Sequence, residues 1–295
     1  MINSLRTLLA HKLKSNNKPK LNHGGFTLIE LLVAMIVAVL IIAPLLRFMI
    51  TIVDTDRKEQ AKATSEQEIQ AAMDYIARDL EQAVYIYDNS GVERDNAGTA
   101  DDSGIRNQIP PVAAAPGCNT DNCQPVLVFW KRKYFDRTDK VKVNGKDTKI
   151  EKLTNGNDTF VYALVAYYLI TEENQNWSNI ARIGRFEIHD KVASENKKEV
   201  GDSEPSPGFK EFNLLDEPGS KLKQKLNQWE KGDAAYTTQA QILVDYIDNT
   251  DNTATGITPD CPSVFPKSDD KDDLQVPKDI KGGFYACVDA EKRIA

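Results

Sequence analysis

The sequence predicts an α+β fold in which a long N-terminal helix packs on an antiparallel β-sheet. Three features of the 295 residues support this prediction. An apolar run at 26–46 contains a single charged residue, helical periodicity resumes at 69–84, and stretches rich in β-branched and aromatic residues recur between 126 and 288. The short polar segments between those stretches fit antiparallel pairing better than parallel crossovers.

The apolar run at 26–46 is long enough to cross a membrane. At about 1.5 Å per helical residue it spans roughly 30 Å, the thickness of one hydrocarbon layer. Five basic residues and no acidic residue precede it, namely Arg6, Lys12, Lys14, Lys18 and Lys20. Because basic residues mark the cytoplasmic side, we expect 1–25 in the cytoplasm, 26–47 in the inner membrane and the rest exported to the periplasm or cell surface.

The remaining composition limits the class of partner. The formal net charge is −7, and leaving out the five basic residues of the leader takes it to −12. So acidic a domain repels a nucleic-acid backbone, and we expect no nucleic-acid partner. With 41% hydrophobic residues the chain is expected to form at least one sizeable core.

Two glycines precede the apolar run, and one acidic residue lies near its beginning. In a cleaved secretory signal the small residues follow the apolar region, whereas Gly24 and Gly25 come before it. The stretch "GGFTLIE" (24–30), placed between a basic leader and an unbroken apolar helix, resembles the type IV prepilin signature.

This resemblance implies how the N-terminus is processed and what Glu30 does. In that family a membrane peptidase cuts after the glycine and methylates the new N-terminal residue. The cut would fall between Gly25 and Phe26 and remove residues 1–25 as a leader peptide. Glu30 lies one helical turn after Phe26, and an unpaired carboxylate in hydrocarbon costs about 2.5 kcal/mol or more. The implied partner is the charged amine of Phe26 on a neighbouring subunit; an ordinary signal anchor with a stray acid is the alternative.

One continuous helix is expected from Phe26 to Tyr87, within an N-terminal segment 26–88. Outside the membrane an apolar stripe recurs at spacings of three and four, at Ile69, Met73, Ile76, Leu80 and Val84. Inside the membrane, Pro44 removes one backbone hydrogen bond and predicts a kink or local melting of the helix. The alternative is a proline that neighbouring groups accommodate.

Residues 89–295 are expected to form an exported globular domain. Residues 89–125 are rich in Gly, Ala, Asp and Pro, which predicts a long loop. A short helix is expected around Leu222 and Leu226, with Ser220 as its N-cap. Strands are expected at 126–130, 159–170, 180–190, 240–247 and 283–288.

Four cysteines lie in this domain, and four cysteines in an oxidising compartment predict two disulfides with three possible connectivities. We favour Cys118 with Cys123 and Cys261 with Cys287; the second pair resembles the cysteine-bounded C-terminal region of many pilins. Zinc is the alternative, but no CxxC spacing occurs and His189 is the only histidine after residue 25. The acids at 245–253 and 267–273 offer oxygen ligands for calcium, but the first stretch lacks the alternate-position acids and the glycine of an EF-hand loop. We therefore expect no metal, with a calcium site as the alternative.

Nothing in the sequence predicts a catalytic site or a cofactor. Any histidine-dependent triad would need His189, which is expected at the surface of a strand end, and no serine lies in a nucleophile elbow. Pairs of acids suited to glycoside hydrolysis depend on the fold, and chance proximity is the default expectation.

A narrower resemblance concerns the exported domain. "ALVAYYL" (163–169) followed by "IARIGRFEI" (180–188) is similar to the J-type minor pseudopilins of type II secretion and their pilus counterparts. Three stretches, "MDYIARDLEQAVYIYD" (73–88), "LVFWKRK" (127–133) and "ALVAYYL", together resemble the hormogonium polysaccharide secretion pseudopilins of filamentous cyanobacteria.

The narrower resemblance implies a non-catalytic minor pseudopilin that serves polysaccharide export and gliding. Its expected partners are the prepilin peptidase, other pseudopilins and the assembly platform of the inner membrane. Two alternatives remain at this point. One is a minor pilin of a motility or DNA-uptake pilus, and the other is a tip adhesin that binds surface glycans.

Overall fold

A computed structural model of the chain describes residues 25–119, 122–172, 176–195, 200–250, 260–265 and 273–290. The chain divides into two compact units, Met1–Ala63 and Thr64–Ala295. Helix α1 (Leu28–Glu81) makes up nearly all of the described part of the first unit, and its C-terminal turns belong to the second. The second unit also contains the described strands and the shorter helices.

The second unit is built on a five-stranded antiparallel sheet with the order β1-β2-β5-β6-β7. Two separate two-stranded ribbons, β3-β4 and β8-β9, accompany it. The described strands are β1 (Ala83–Ile86), β2 (Cys123–Phe135), β3 (Lys140–Val143), β4 (Lys146–Lys149), β5 (Thr159–Ile170), β6 (Ala181–His189), β7 (Gln241–Ile247), β8 (Gln275–Val276) and β9 (Ala286–Cys287). The predicted α+β fold with a long helix and an antiparallel sheet is confirmed.

Both faces of the central strand β5 are covered. Residues 163–170 are all buried, which explains why this strand reads as an unbroken apolar run instead of an alternating one. On one face, the hydroxyl of Tyr167 donates to a carboxylate of α1 at 2.7 Å. On the other face, the ring of Phe186 in β6 meets Tyr236 edge-on, with 5.2 Å between centroids.

Helix α1 ends earlier than its periodicity predicts. It stops at Glu81 instead of Tyr87, and the following residues form β1, which pairs with β2. Val84, Tyr85 and Ile86 are β-branched or aromatic, and an antiparallel partner for them lies alongside. The predicted stripe is also corrected, because Met73 is 46% exposed.

The predicted loop at 89–125 contains more structure than expected. It begins with helix α2 (Asn89–Glu93), whose N-cap Asp88 accepts a hydrogen bond from the amide of Gly91 at 3.1 Å. Ile105 and Ile109 are buried in the main core, and the last residues of the predicted loop already belong to β2. The loop therefore contributes to the core of the second unit.

The β3-β4 ribbon was not predicted, although its turn has a clear signal. Asn144 and Gly145 both have positive φ, 49° and 74°, the conformation that favours an Asn-Gly hairpin turn. Four lysines among the eight residues of the two strands concealed the ribbon, because lysine is not typical of strands. Val141 and Val143 nevertheless pack in a second, smaller core.

Two further details differ from the prediction. Helix α3 (Leu222–Leu226) is not capped by a Ser220 side chain; instead the amides of Ser220 and Lys221 donate to Oε1 of Gln224 at 2.9 and 3.0 Å. The stretch at 283–288 does not join the main sheet, because its strand β9 pairs with β8.

The two disulfides join Cys118 to Cys123 and Cys261 to Cys287, the connectivity favoured from the sequence. Cys261 begins helix α4 (Cys261–Val264), and Cys287 lies in β9. The first bond therefore joins the start of β2 to a residue five positions earlier, and the second joins two residues that are 26 positions apart.

Removing the second disulfide is expected to destabilise the globular unit more than removing the first. Chain-entropy estimates give about 3.5 kcal/mol for the loop between Cys261 and Cys287 and about 2 kcal/mol for that between Cys118 and Cys123. Urea unfolding of the paired Cys→Ala variants, followed by tryptophan fluorescence, measures both. An equal or reversed ranking would contradict the loop-length explanation.

Candidate functional site

The residues just before helix α1 form an exposed junction with free space around Gly25. Phe26 is 79% exposed, and Gly25 is exposed as well. A Cβ atom added at Gly25 would meet no atom within 4 Å, and its backbone does not adopt positive φ. Nothing in the described chain therefore requires glycine at position 25. A requirement for glycine there would come from a protein that handles this junction.

Glu30 lies in the first turn of α1, and its amide donates to the carbonyl of Thr27 at 3.1 Å. Its side chain is exposed, and within the described part of the chain its carboxylate contacts no cation. The neighbouring side chains Ile29 and Leu31 are apolar and more than half exposed. A carboxylate in that surrounding needs a partner from outside the chain once it enters hydrocarbon.

Helix α1 contains one segment that is long and apolar enough to cross a membrane, judged by length and composition among the described residues. That segment has no buried residue within the chain. Pro44 lies inside it, and the residues around it remain helical. Since proline has no amide proton, the carbonyl of Leu40 loses its usual helical donor. The kink at Pro44 remains a prediction.

A buried ionic cluster lies where the end of α1 meets the sheet, centred on Asp79, which is 6% exposed. Asp79 Oδ1 accepts a hydrogen bond from Lys131 Nζ at 2.6 Å. Asp79 Oδ2 accepts from Arg185 Nε at 2.8 Å and from the hydroxyl of Tyr167 at 2.7 Å. One carboxylate of the helix thus binds side chains of β2, β5 and β6.

Glu187 extends this arrangement along β6. It forms salt bridges with Lys133 at 2.6 Å and Lys131 at 3.3 Å, and a third with Arg185. We call the five charged side chains of Asp79, Lys131, Lys133, Arg185 and Glu187 the Asp79 cluster. It combines three cations with two carboxylates.

Both carboxylates of the Asp79 cluster remain ionised at neutral pH. Burial by itself would raise the pKa of Asp79, but hydrogen bonds from Arg185 and Lys131 outweigh burial and hold that pKa below its ordinary value. Burial likewise opposes ionisation of Glu187, yet the charges of Arg185 and Lys133 lower its pKa to about 2. The Asp79 cluster therefore has a net charge of about +1.

His189 is half-buried instead of lying at the surface as predicted. Burial lowers the pKa of its ring, so the ring is neutral at neutral pH. The ring meets Phe135 edge-on at 5.4 Å, and its Nδ1 contacts the carbonyl of Asp190 at 2.9 Å. Ser206 Oγ accepts a hydrogen bond from the backbone amide of His189 and does not contact the ring. These contacts are structural and do not resemble a nucleophile with its base.

The described residues contain no group of three or more His, Cys, Asp or Glu side chains placed to hold a metal ion. In the stretch 245–253, Asp245 accepts from the amide and hydroxyl of Ser178 at 2.8 and 2.6 Å. Asp248 accepts from the amide of Thr250 at 2.9 Å. Asp245 therefore joins β7 to the segment before β6, and Asp248 serves a local turn. Most of the stretch 267–273 lies outside the described residues.

The sequence analysis found the N-terminal segment but missed the Asp79 cluster. Gly25, Phe26 and Glu30 lie together in one short stretch and give a local signal. Asp79 is an acidic residue on a helix, which by residue type looks solvent-exposed. One feature of the sequence sets it apart: it lies three residues after Ile76, on the helix face that the apolar pattern assigns to the core.

Comparison with protein families gives a match at the N-terminal end of the chain. Residues 20–46 match the family described as the prokaryotic N-terminal methylation motif. The matched range contains Gly25, Phe26, Glu30 and Pro44, and it ends within the apolar part of α1. No curated protein and no solved structure matches the chain significantly. The motif is of the prepilin type, and it supports a pilin or pseudopilin with a structural role.

Proposed function

We propose that this chain is a minor pseudopilin of a pilus-like machine that secretes polysaccharide and thereby supports gliding. The observation that carries the proposal is the methylation motif at 20–46, which includes the start of the apolar helix α1 with Glu30 in its first turn. The chain would enter the inner membrane by α1, lose residues 1–25 to the prepilin peptidase, and expose its globular domain outside. Its other partners would be further pseudopilins and the membrane assembly platform.

The Asp79 cluster favours the narrower assignment. The three sequence stretches that resemble polysaccharide secretion pseudopilins supply Asp79, Lys131, Lys133 and Tyr167, and "IARIGRFEI" adds Arg185 and Glu187. The resemblance therefore lies in residues that join the helix to the sheet. A minor pilin of a motility or DNA-uptake pilus is the second candidate, because the same N-terminal motif would serve it equally.

Processing gives the first prediction for this function. The Gly25→Val variant is expected to remain a full-length, membrane-inserted precursor, because the peptidase must accommodate the residue before the cut while the chain itself does not need glycine there. N-terminal mass spectrometry of membrane-extracted protein should find Phe26 as the methylated first residue of wild type. Ala38→Val, a larger side chain inside the apolar helix, is the control and should be cut normally. A leader retained on the wild-type protein would remove the basis for the proposal.

Deletion of the gene tests the assigned role. We expect extracellular polysaccharide and surface gliding to fall while the major pilus filaments remain visible by electron microscopy. Wild-type protein should restore both, and the Gly25→Val variant should restore neither. Lost or shortened filaments with normal polysaccharide release would favour the minor pilin. If only attachment to surfaces falls, the tip adhesin is the better assignment.

A further inference from the structure

A groove of about 470 Å³ lies at the edge of the main sheet that β7 forms, within the usual volume range of ligand sites. Its lining comes from the start of β6, from the segment between β5 and β6, and from 238–242. Arg182, which lines it, is three positions from Arg185 on β6, so the two side chains project from opposite faces of the sheet. None of the five side chains of the Asp79 cluster lines this groove.

Arg182 carries a buried hydrogen-bond donor that is not satisfied. The residue is 3% exposed, and its Nη2 donates to the backbone carbonyl of Glu172 at 2.7 Å. Its Nη1 is buried as well, and among the described residues it has no hydrogen-bond partner. Leaving a charged donor unpaired in a buried place is costly. Nη1 therefore needs an acceptor from outside the described chain, and the groove that Arg182 lines is where such an acceptor would enter.

Three further side chains line the groove and are free to contact a ligand, namely Glu172, Trp177 and Gln239. Trp177 is 42% exposed, and among the described residues its ring stacks on no other ring or cation and its indole N–H has no acceptor. The carboxylate of Glu172 likewise contacts no donor or cation within the described part of the chain. Gln239 adds an amide, which both donates and accepts hydrogen bonds.

The charges around the groove disfavour an anionic ligand. Burial would raise the pKa of Asp245, but hydrogen bonds from Ser178 and the nearby charge of Arg182 hold that pKa below its ordinary value. Asp245 is therefore ionised at neutral pH and offsets the charge of Arg182. The carboxylate of Glu172 then leaves an excess of negative charge at the groove. A hydroxyl group suits these surroundings, because it accepts from Arg182 and donates to Glu172 without carrying charge.

We propose that this groove binds a neutral sugar unit of a polysaccharide, with the apolar face of the ring on Trp177 and its hydroxyls between Arg182 and Glu172. The inference names the substrate class of the polysaccharide export proposed above and rests on it. A pyranose ring combines an apolar face, which packs on an aromatic ring, with hydroxyls that each donate and accept hydrogen bonds. Because Nη1 of Arg182 is shielded in the free chain, binding includes a local shift of groove side chains that lets a hydroxyl reach it.

The test is the affinity of the full chain for neutral oligomers of cellulose, amylose, mannan and galactan, measured by isothermal titration calorimetry in a non-ionic detergent without a sugar headgroup. We expect at least one of the four to bind, and polygalacturonate oligomers to bind about tenfold more weakly, because the groove and the chain are both acidic. Trp177→Ala should lower the affinity about tenfold. The matched control is Tyr162→Ala, since Tyr162 is 56% exposed and lies outside the groove. Its affinity should stay within about twofold of wild type.

Arg182→Lys tests the unpaired donor. Lysine keeps the positive charge beside Asp245 but has a single terminal nitrogen, which cannot serve both the carbonyl of Glu172 and a ligand hydroxyl in the geometry of a guanidinium. We expect an affinity about tenfold lower than that of wild type. Near-UV circular dichroism shows whether the variant keeps its fold. If it does not, Trp177→Ala decides, because that side chain is exposed.

Four results would overturn the inference: no binding of any of the four neutral oligomers, equal binding of polygalacturonate, undiminished binding by Trp177→Ala, or equal binding of an uncharged Gly-Ser peptide, which would identify an extended backbone as the ligand. The export role is judged separately by the gene deletion. Normal polysaccharide release in the deletion strain overturns the export role whatever the groove binds. Lost release together with absent oligomer binding overturns only the groove.

Discussion

Replacing Asp79 by Ala is expected to lower the free energy of unfolding of the globular unit by about 3–5 kcal/mol. The substitution leaves Lys131 and Arg185 buried, 9% and 7% exposed, with Glu187 as the one remaining carboxylate of the Asp79 cluster for three cations. It also leaves the buried hydroxyl of Tyr167 without its acceptor. All of these costs fall on one position, which makes this the largest expected effect of a single substitution on stability.

The three tryptophans of the chain, Trp130, Trp177 and Trp229, all lie in the second unit, so urea unfolding followed by their fluorescence reports on that unit alone. Asp74→Ala is the matched control on the same helix, since Asp74 is exposed and accepts a single hydrogen bond from Gln70. Its effect should stay within about 0.5 kcal/mol. A loss of less than about 1 kcal/mol for Asp79→Ala would mean that the Asp79 cluster contributes little net stability.

The same cluster predicts an acid-dependent loss of stability. The pKa values of Asp79 and Glu187 are lower in the folded chain than in the unfolded one. Their contribution is therefore fully present above the unfolded pKa values, near 4, and is lost as the pH falls through the folded values, towards about 2 for Glu187. In Asp79→Ala, the slope of stability against pH over this acidic range should be smaller than in wild type.

Replacing Glu30 by Leu is expected to leave membrane insertion unchanged and to prevent entry into the assembly. The substitution makes the apolar run at 26–46 more apolar, so insertion should not suffer. An assembled wild-type subunit would instead neutralise this carboxylate with the amine of Phe26 on its neighbour, and the variant has no such contact. The chain itself supplies no partner for Glu30 among its described residues, which is why the effect should appear only on assembly.

Site-specific crosslinking to other pseudopilins in membranes measures this effect. We expect the yield of crosslinked product to fall about tenfold or more, which corresponds to a loss of about 1.4 kcal/mol or more per contact. Glu59→Leu is the control, since Glu59 is an exposed acid of the same helix beyond the apolar run. Undiminished crosslinking of Glu30→Leu would show that the carboxylate serves another purpose.

Elements whose signal is local were predicted well. Strand β5 lies where its β-branched and aromatic residues predicted it, at 159–170, because one buried strand carries its own pattern. The Asp79 cluster could not be read in this way. Asp79 and its partners Lys131 and Arg185 are 52 and 106 positions apart, and only the folded sheet brings them together. The end of α1 was predicted wrongly for the same reason, because β2, the strand that pairs with β1, lies far along the chain.

The order of the main sheet bears on how the second unit folds when its residues become available in order from the N-terminal side. In β1-β2-β5-β6-β7, each strand after β1 pairs with the strand that comes immediately before it among those of this sheet. Each newly emerging strand therefore meets an edge that is already formed, and the sheet grows by addition at one side. Contacts that form in the order of emergence close shorter loops than contacts that wait for a distant segment. The described segments 260–265 and 273–290 both follow β7, so the bond between Cys261 and Cys287 joins two segments that emerge after the last strand of the main sheet.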